Sequence, residues 1–179
     1  MHLETARLIL RDFQPDDWEP VLAYRRDARY QRFYPETEYT PTSAQEFVRR
    51  CMNAAAQHPR TTYQLAIETR HPQGLIGTIG LRIAPNAPWR AEVGCELNPL
   101  VWGKGYATEA LRALCTFAFT QTTLERLEAS TLAENQAAVR VLERCGFLCE
   151  GRHRHTDFFR ERFWDRLTFS RLRSDLAGE

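Results

Sequence analysis

The chain has 179 residues, of which 43% are hydrophobic and 26% charged, and this composition predicts one folded globular domain rather than a disordered chain. Its 24 basic and 23 acidic residues nearly cancel, so a dedicated nucleic-acid-binding protein is not expected. No apolar run approaches the roughly 18 residues of a membrane span and no signal peptide is visible, so we expect a cytoplasmic protein without a membrane partner.

A strand followed by two helices is predicted in the N-terminal third. Branched residues over 7–13 indicate the strand, and the Pro-Asp-Asp run at 15–17 opens the first helix, because proline and carboxylates suit a first turn. A loop over 34–42 leads to a second helix over 43–57, whose apolar residues share one face. These two helices lie between the first two strands of the chain as one large insertion, the helical insertion. We expect the helical insertion to form one wall of a cleft.

A meander of three strands follows, over residues 62–68, 75–83 and 90–97. The third strand alternates apolar residues with Glu92, Gly94 and Glu96. Because side chains alternate between the two faces of a strand, both glutamates are predicted to share a face.

The clearest helix is predicted over residues 103–120, where an apolar stripe recurs at helical spacing. Its members are Ala107, Ala110, Leu111, Leu114, Cys115 and Ala118. A strand over 124–131, a helix over 135–145 and two strands within 148–172, with a turn near 158–161, complete the chain. This order of elements predicts one mixed α/β domain over residues 1–179.

A glycine-rich turn joins the third meander strand to this helix. Gly103 and Gly105 flank Lys104, the one lysine of the chain, which can assist in binding an anion without being essential. Unpaired backbone N–H groups and the helix dipole would favour a diphosphate here. The pattern is neither a Walker A loop nor G-x-G-x-x-G, and an ordinary tight strand-to-helix turn explains the same residues.

Four segments of the chain resemble, in order, motifs of the GCN5-related N-acetyltransferases (GNAT family). They are residues 3–11, then 91–94 with 102–110, then 135–147, and finally Trp164-Asp165. The resemblance is greatest to the branch of ribosomal-protein N-terminal acetyltransferases, the RimJ/RimL type. It implies a single domain with a mostly antiparallel, twisted sheet of about seven strands, splayed between the fourth and fifth, and about four flanking helices.

The same resemblance implies acetyl-CoA as co-substrate and no metal. The pyrophosphate would be held by backbone N–H groups of Gly103, Lys104, Gly105, Tyr106, Ala107 and Thr108. The pantetheine arm would pair with strand 91–97 like an added strand, near Asn135. A backbone N–H among Cys95, Glu96 and Leu97 would stabilise the tetrahedral oxyanion.

Two positions depart from the family pattern. Trp102 stands where the motif usually has Gln or Arg, and it supplies neither a cation nor an amide. Ala138 stands where a serine hydroxyl often lies near the departing thiolate. The coenzyme A thiol, with a pKa of about 8.5, can leave as thiolate without a proton from an acid. We therefore still expect an active enzyme.

Three carboxylates are candidates for the base that removes the amine proton: Glu92, Glu96 and Glu128. An α-amine, with a pKa of about 7.7–8.0, is partly neutral near pH 7, and a base would add roughly 10²–10⁴-fold. Glu92 is favoured because it lies in the matched motif. Each is also explained as a surface carboxylate paired with one of the many arginines. His153 and His155 are expected on an exposed strand face.

The tail interleaves arginines with aromatic residues, a pattern that can bind RNA. Strand alternation with the aromatics inward and the arginines outward explains it equally and is favoured. A narrower hypothesis is that some of these arginines, such as Arg154 or Arg160, line the acceptor site and select acidic or phosphate-bearing acceptors.

The sequence therefore predicts an acetyl-CoA-dependent N-acetyltransferase that transfers the acetyl group directly, in a ternary complex, to a protein N-terminus or a small-molecule amine. No cysteine is placed for an acyl-enzyme, because Cys95 alternates away from the glutamates. The five cysteines include no C-x-x-C pair, so no metal site is expected. A homodimer is compatible with this prediction. A non-catalytic acyl-CoA-binding module is the alternative, and Ala138 is its best support.

Overall fold

The computed structural model describes residues 1–35 and 37–178. Its strands are β1 (His2–Glu4), β2 (Leu8–Asp12), β3 (Thr62–Thr69), β4 (Gly74–Ala84), β5 (Ala87–Leu97), β6 (Arg126–Leu132), β7 (Leu148–Phe159) and β8 (Arg162–Leu172). They form one sheet in the order β1-β2-β3-β4-β5-β6-β8-β7, antiparallel except for the parallel pair β5–β6. The predicted loop over 34–42 includes Glu36 and the predicted domain ends at Glu179, and both residues lie outside the described ones.

Within the described residues, five helices flank the sheet. They are α1 (Trp18–Arg25), entered through a 3-10 turn at Pro15–Asp17, α2 (Ala28–Gln31), α3 (Pro41–Ala55), α4 (Tyr106–Gln121) and α5 (Gln136–Arg144). The predicted mixed α/β architecture is confirmed, with one strand and one helix more than predicted among the described residues. The additions are β1 and α2, which have three and four residues and are too short to show a periodicity. No helix in the described part of the chain is long and apolar enough to cross a membrane.

Local capping sets where two helices begin. Helix α3 begins two residues before its predicted start, because Pro41 fits the first turn and the side chains of Thr40 and Ser43 each accept the other's backbone N–H. Helix α4 begins three residues later than predicted. Gly103 and Gly105 have φ of +77° and +81°, a conformation that ends the turn and cannot belong to a helix.

Strands β5 and β6 separate after a short parallel contact. Arg90, Ala91 and Glu92 pair with residues 126–128, and within the described residues the pairing stops there. Residues 93–97 of β5 continue alone on that side, while β6 goes on pairing with β8. The predicted splay is therefore present and opens a cleft in the middle of the sheet.

The two faces of the sheet carry separate apolar clusters. The larger lies under α4 and α5 and receives Ala91, Val93 and Leu97 of β5. The smaller lies under α1, α2 and α3 and contains Tyr24 and Tyr30. Glu96, on the opposite face of β5 from Leu97, consequently points toward the helical insertion.

The prediction that the tail's aromatic residues all point inward is wrong. Phe159 and Trp164 are buried, whereas Phe158 and Phe163 are 64% and 55% exposed. Phe158 lies directly opposite Phe163 in the β7–β8 ladder, and their ring centroids are 4.8 Å apart. Consecutive residues of a strand face opposite sides, so the two neighbouring pairs of aromatics had to divide between the faces.

Candidate active site

A cleft of about 570 Å³ opens where β5 and β6 separate. The glycine-rich turn and the first residues of α4 form one end of it, and α5 forms a side wall. Aromatic residues of the helical insertion form the other end: Tyr30, Phe33, Tyr34 and Phe47. Of the residues expected to hold the coenzyme, those that line the cleft are Cys95, Glu96, Leu97, Gly103, Gly105, Tyr106, Ala107, Thr108 and Asn135.

The turn presents free backbone donors to this cleft. The first hydrogen bond of α4 runs from the Glu109 N–H to the Gly105 carbonyl at 3.1 Å. The N–H groups of Tyr106, Ala107 and Thr108 therefore have no acceptor inside the helix. With the positive end of the helix dipole at the same place, these groups suit an anion. The side chain of Lys104 does not line the cleft.

The N-terminal segment holds the turn in place. The Thr5 hydroxyl and the Arg7 Nε donate to the Glu109 carboxylate at 2.6 and 2.7 Å, and Arg7 Nη1 donates to the Lys104 carbonyl at 2.9 Å. The Arg7 guanidinium also lies 4.5 Å from the ring centroid of Tyr106. Although burial opposes it, the hydrogen bonds from Thr5 and Arg7 lower the pKa of Glu109. The first and second sequence motifs are thus joined through Glu109.

The free edge of β5 offers further donors. The Glu125 N–H donates to the Trp89 carbonyl at 2.7 Å, which shows that odd-numbered residues of β5 direct their backbone groups toward β6. Beyond the splay, this alternation points the N–H groups of Cys95 and Leu97 into the gap. The backbone groups of Glu96 point the other way, toward β4.

Trp102 has a polar role that the sequence does not predict. Its indole Nε1 donates to the Leu97 carbonyl at 2.9 Å. The bond connects the glycine-rich turn to the end of β5 without using the Leu97 N–H. Trp102 thereby fixes the turn against the strand that forms the middle of the cleft.

Helix α5 contributes a capped N-terminus and two cations. The Asn135 Oδ1 accepts the Ala138 N–H at 3.3 Å, so this side chain caps the helix at the edge of the cleft. Ala138 lines the cleft as a methyl group. Arg140 and Arg144, one turn apart, also line it, and neither has an ion-pair partner in the described part of the chain. Sequence reasoning missed both, although their spacing of four was visible.

The three candidate carboxylates are not brought together. Glu96 alone among them lines the cleft, where Arg25 Nη2 lies 2.9 Å and the Tyr24 hydroxyl 3.2 Å from its Oε2. Glu92 lies outside, with its side chain 57% exposed and Arg82 Nη2 at 3.4 Å. Glu128, next to Glu92 in the ladder, accepts from Arg126 Nε at 2.9 Å.

The aromatic end of the cleft is partly buried and contains stacked tyrosines. The rings of Tyr30 and Tyr34 stack with centroids 4.7 Å apart, and Tyr39 meets Tyr30 edge-on. Burial raises the pKa of Tyr30 and Tyr34, so both remain phenols that can donate hydrogen bonds. The sequence signal was the density of aromatic residues over 30–39, within a segment expected to be mostly loop.

The surroundings of Cys95, the cysteine at the cleft, raise the pKa of its thiol. Desolvation, together with the negative charge of Glu96, raises the pKa of the Cys95 thiol to about 12. A thiol with this pKa is protonated at pH 7, and the thiolate is the reactive form.

Within residues 1–35 and 37–178, no group of three metal-ligating side chains comes together.

A splayed sheet beside a helix start with free N–H groups defines an α/β protein of the acetyltransferase class. The chain belongs to the GNAT family, since the family model for the acetyltransferase (GNAT) domain matches residues 7–148. It is 28% identical over 177 residues to the uncharacterized N-acetyltransferase p20 of Bacillus licheniformis, an alignment that covers 98% of each chain.

Two solved structures share the fold. A GNAT-family acetyltransferase from Bacillus anthracis superposes with a TM-score of 0.84 at 26% identity, covering 97% of this chain and 99% of that one. RimL, a ribosomal L7/L12 α-N-protein acetyltransferase in complex with coenzyme A, superposes with a TM-score of 0.78 at 17% identity, covering 96% and 98%. The protein is therefore an acetyltransferase of the GNAT type.

Proposed function

We propose that the protein transfers the acetyl group of acetyl-CoA directly to a primary amine, either a protein N-terminus or a small molecule, in a ternary complex. One observation carries the proposal: the free N–H groups at the start of α4 and the unpaired edge of β5 face the same cleft. The first suits a diphosphate and the second an amide-containing arm, which are two adjacent parts of a coenzyme A molecule.

Each part of the cleft fits one part of that co-substrate. The N–H groups of Tyr106, Ala107 and Thr108 would hold the pyrophosphate, and residues 93–97 with Asn135 the pantetheine arm. Arg140 and Arg144 would bind the 3′-phosphate, because unpaired guanidinium groups match its oxygens. The RimL structure holds coenzyme A in the same fold, which supports this use of the cleft.

The residues near the end of β5 support a direct transfer. Acetyl-CoA supplies an acetyl thioester, in which the amine nitrogen forms a bond to the carbonyl carbon as the carbon–sulfur bond breaks. The N–H groups of Cys95 and Leu97 would stabilise the oxyanion formed in between. Glu96 would accept the amine's proton, through a water molecule, since it is the candidate carboxylate that lines the cleft, where it contacts Arg25 and Tyr24.

The residues that line the cleft also indicate how the thiol leaves and where the acceptor enters. Ala138 offers no proton, so the thiol, with a pKa of about 8.5, would leave as thiolate. The acceptor would enter from the end formed by Tyr30, Phe33 and Tyr34. RimL is named for a protein N-terminus as acceptor, which supports that class beside small amines.

Intact-mass spectrometry distinguishes direct transfer from an acyl-enzyme. The protein is mixed with acetyl-CoA alone, and then with acetyl-CoA and a panel of N-terminal peptides and small amines. We expect the protein mass to stay unchanged without amine, and at least one amine to be acetylated. A protein that gains one acetyl group before amine is added, and passes it on afterwards, would contradict direct transfer.

A further inference from the structure

A second depression, beside the acceptor end of the cleft, is lined mainly by arginines. Its residues come from the start of α2 and from the β7–β8 hairpin: Ala28, Arg29, Arg32, Arg160, Arg162 and Trp164. Two distant parts of the chain thus bring four guanidinium groups to one concave surface. We call it the arginine depression.

The arginine depression adjoins the cleft through one shared aromatic wall. Its floor, Trp164, is 4% exposed, stacks on Phe159 with ring centroids 4.9 Å apart, and carries the Arg162 guanidinium 3.5 Å above its ring. Phe33 meets the edge of Trp164 at 6.3 Å and also lines the cleft. A molecule that extends from the cleft past Phe33 would reach the arginines.

One of the four arginines of the depression, Arg32, contacts no carboxylate of the described residues. Asp27 pairs with Arg29 at 2.6 Å, and Glu134 pairs with Arg162 at 3.2 Å. Arg160 Nη2 donates to the Gln31 carbonyl at 3.1 Å. Arg32 is exposed and lies 5.2 Å from the Phe33 ring centroid, with no carboxylate partner among the described residues. Arg32 is therefore available to a carboxylate that arrives with a ligand.

Arg160 occupies a place in the hairpin that does not favour its residue type. Arg160 and Glu161 have φ of +52° and +56°, the left-handed conformation that hairpin turns usually assign to Asn or Gly. The turn places the arginine against α2, where it bonds to Gln31.

We propose that the arginine depression binds carboxylates carried by the acceptor, so that the enzyme favours peptides with acidic residues just after the reacting N-terminus. The planar guanidinium fork binds a carboxylate through two parallel hydrogen bonds, and several arginines together compensate for the weakness of one exposed pair. This inference rests on the proposed function, because it concerns the acceptor of the same cleft.

The test compares two acceptor peptides with the same first residue, one with Glu at the second to fourth positions and one with Gln there. In the wild-type protein the acidic peptide is expected to have the lower KM. Arg32→Glu should raise that KM about three- to tenfold, with kcat and the KM of the Gln peptide unchanged. Arg160→Gln, which removes the charge without reversing it, should act in the same direction. Raising salt from about 0.05 to about 0.5 M should shrink the preference.

Arg154→Glu is the matched control, because Arg154 is an exposed arginine of the same hairpin that lines neither cavity. Equal selectivity in the wild type and Arg32→Glu, or an equal loss in Arg154→Glu, would overturn the proposal. Failure of the proposed function looks different: the wild type would acetylate neither peptide and no small amine.

Discussion

The Arg7 guanidinium and the Glu109 carboxylate are joined by a hydrogen bond of 2.7 Å from Nε to Oε2, and the Arg7 backbone N–H donates to Oε1 at 2.9 Å. This pair connects the start of β2 to the first turn of α4, 102 residues later in the chain. Because the pair lies behind the glycine-rich turn, the N-terminal segment would help to shape the proposed coenzyme site.

Replacing Glu109 should loosen the turn. Glu109→Gln loses charge-assisted hydrogen bonds from Thr5 and Arg7, and we expect it to lower the free energy of unfolding by about 1–3 kcal/mol and to raise the KM for acetyl-CoA. Urea unfolding and steady-state kinetics measure the two effects. Glu143→Gln, an exposed glutamate of α5, is the control and should change neither.

The same residue gives the stability a pH dependence. The pKa of Glu109 is lower in the folded protein than the ordinary 4.5, so its contribution is present above pH 4.5 and is lost as the pH falls through the folded value. The difference in unfolding free energy between wild type and Glu109→Gln should therefore shrink below pH 4.5. A difference that stays constant from pH 7 to pH 3 would contradict the role of the ionised carboxylate.

Gly105 should tolerate no side chain without loss of coenzyme affinity. A left-handed conformation costs a residue with a Cβ about 1–2 kcal/mol, and this Cβ would lie 3.4 Å from Arg7 Nη2. We expect a small rise in the acetyl-CoA Kd for Gly105→Ala and a rise of at least about tenfold for Gly105→Glu, which adds a carboxylate beside the pyrophosphate. Calorimetric titration measures both, and Gly74→Ala, in open space, serves as control. A folded Gly105→Glu protein with normal affinity would rule out the turn as the pyrophosphate site.

The two arginines of α5 should recognise the 3′-phosphate. Replacing Arg140 and Arg144 together by Gln is expected to raise the KM for acetyl-CoA about three- to thirtyfold, since two partly exposed charge pairs are lost. The KM for acetyl-CoA lacking the 3′-phosphate should not change. Arg49→Gln, an exposed arginine of α3, is the matched control. If the double variant raised the KM equally for acetyl-CoA with and without the 3′-phosphate, the two arginines would not be recognising that phosphate.

Among the carboxylates, only Glu96 should affect the chemical step. Glu96→Gln is expected to lower kcat about 10²-fold at saturating acceptor, whereas Glu92→Gln and Glu128→Gln should stay within about twofold. Because Glu96→Gln leaves Arg25 without its carboxylate, the thermal midpoint must be measured beside kcat. A large loss for Glu92→Gln, with Glu96→Gln near normal, would reverse the assignment.

The sequence predicted the elements whose physical signal is local. The apolar stripe of α4 and the alternation of β5 are regular patterns, and both elements formed as predicted, α4 with a later start. The boundary at Tyr106 is set by the left-handed conformations of Gly103 and Gly105, which an apolar stripe does not report.

The acceptor end could not be predicted in the same way. Alternation correctly put Glu92 and Glu96 on one face of β5, but it cannot tell which of them the helical insertion covers. Tyr24 and Arg25 of α1 reach Glu96 alone, and that contact spans more than 70 residues of sequence. The arginine depression likewise joins α2 to a hairpin more than 120 residues away.

The release of coenzyme A thiol from acetyl-CoA, measured with and without a panel of peptide and small-molecule amines, tests most directly whether this cleft is an N-acetyltransferase site. We expect release that depends on the amine, one acetylated amine for each thiol, and loss of the reaction in Gly105→Glu. Tight binding of acetyl-CoA by the folded wild-type protein, with no thiol released for any amine, would contradict the proposed function.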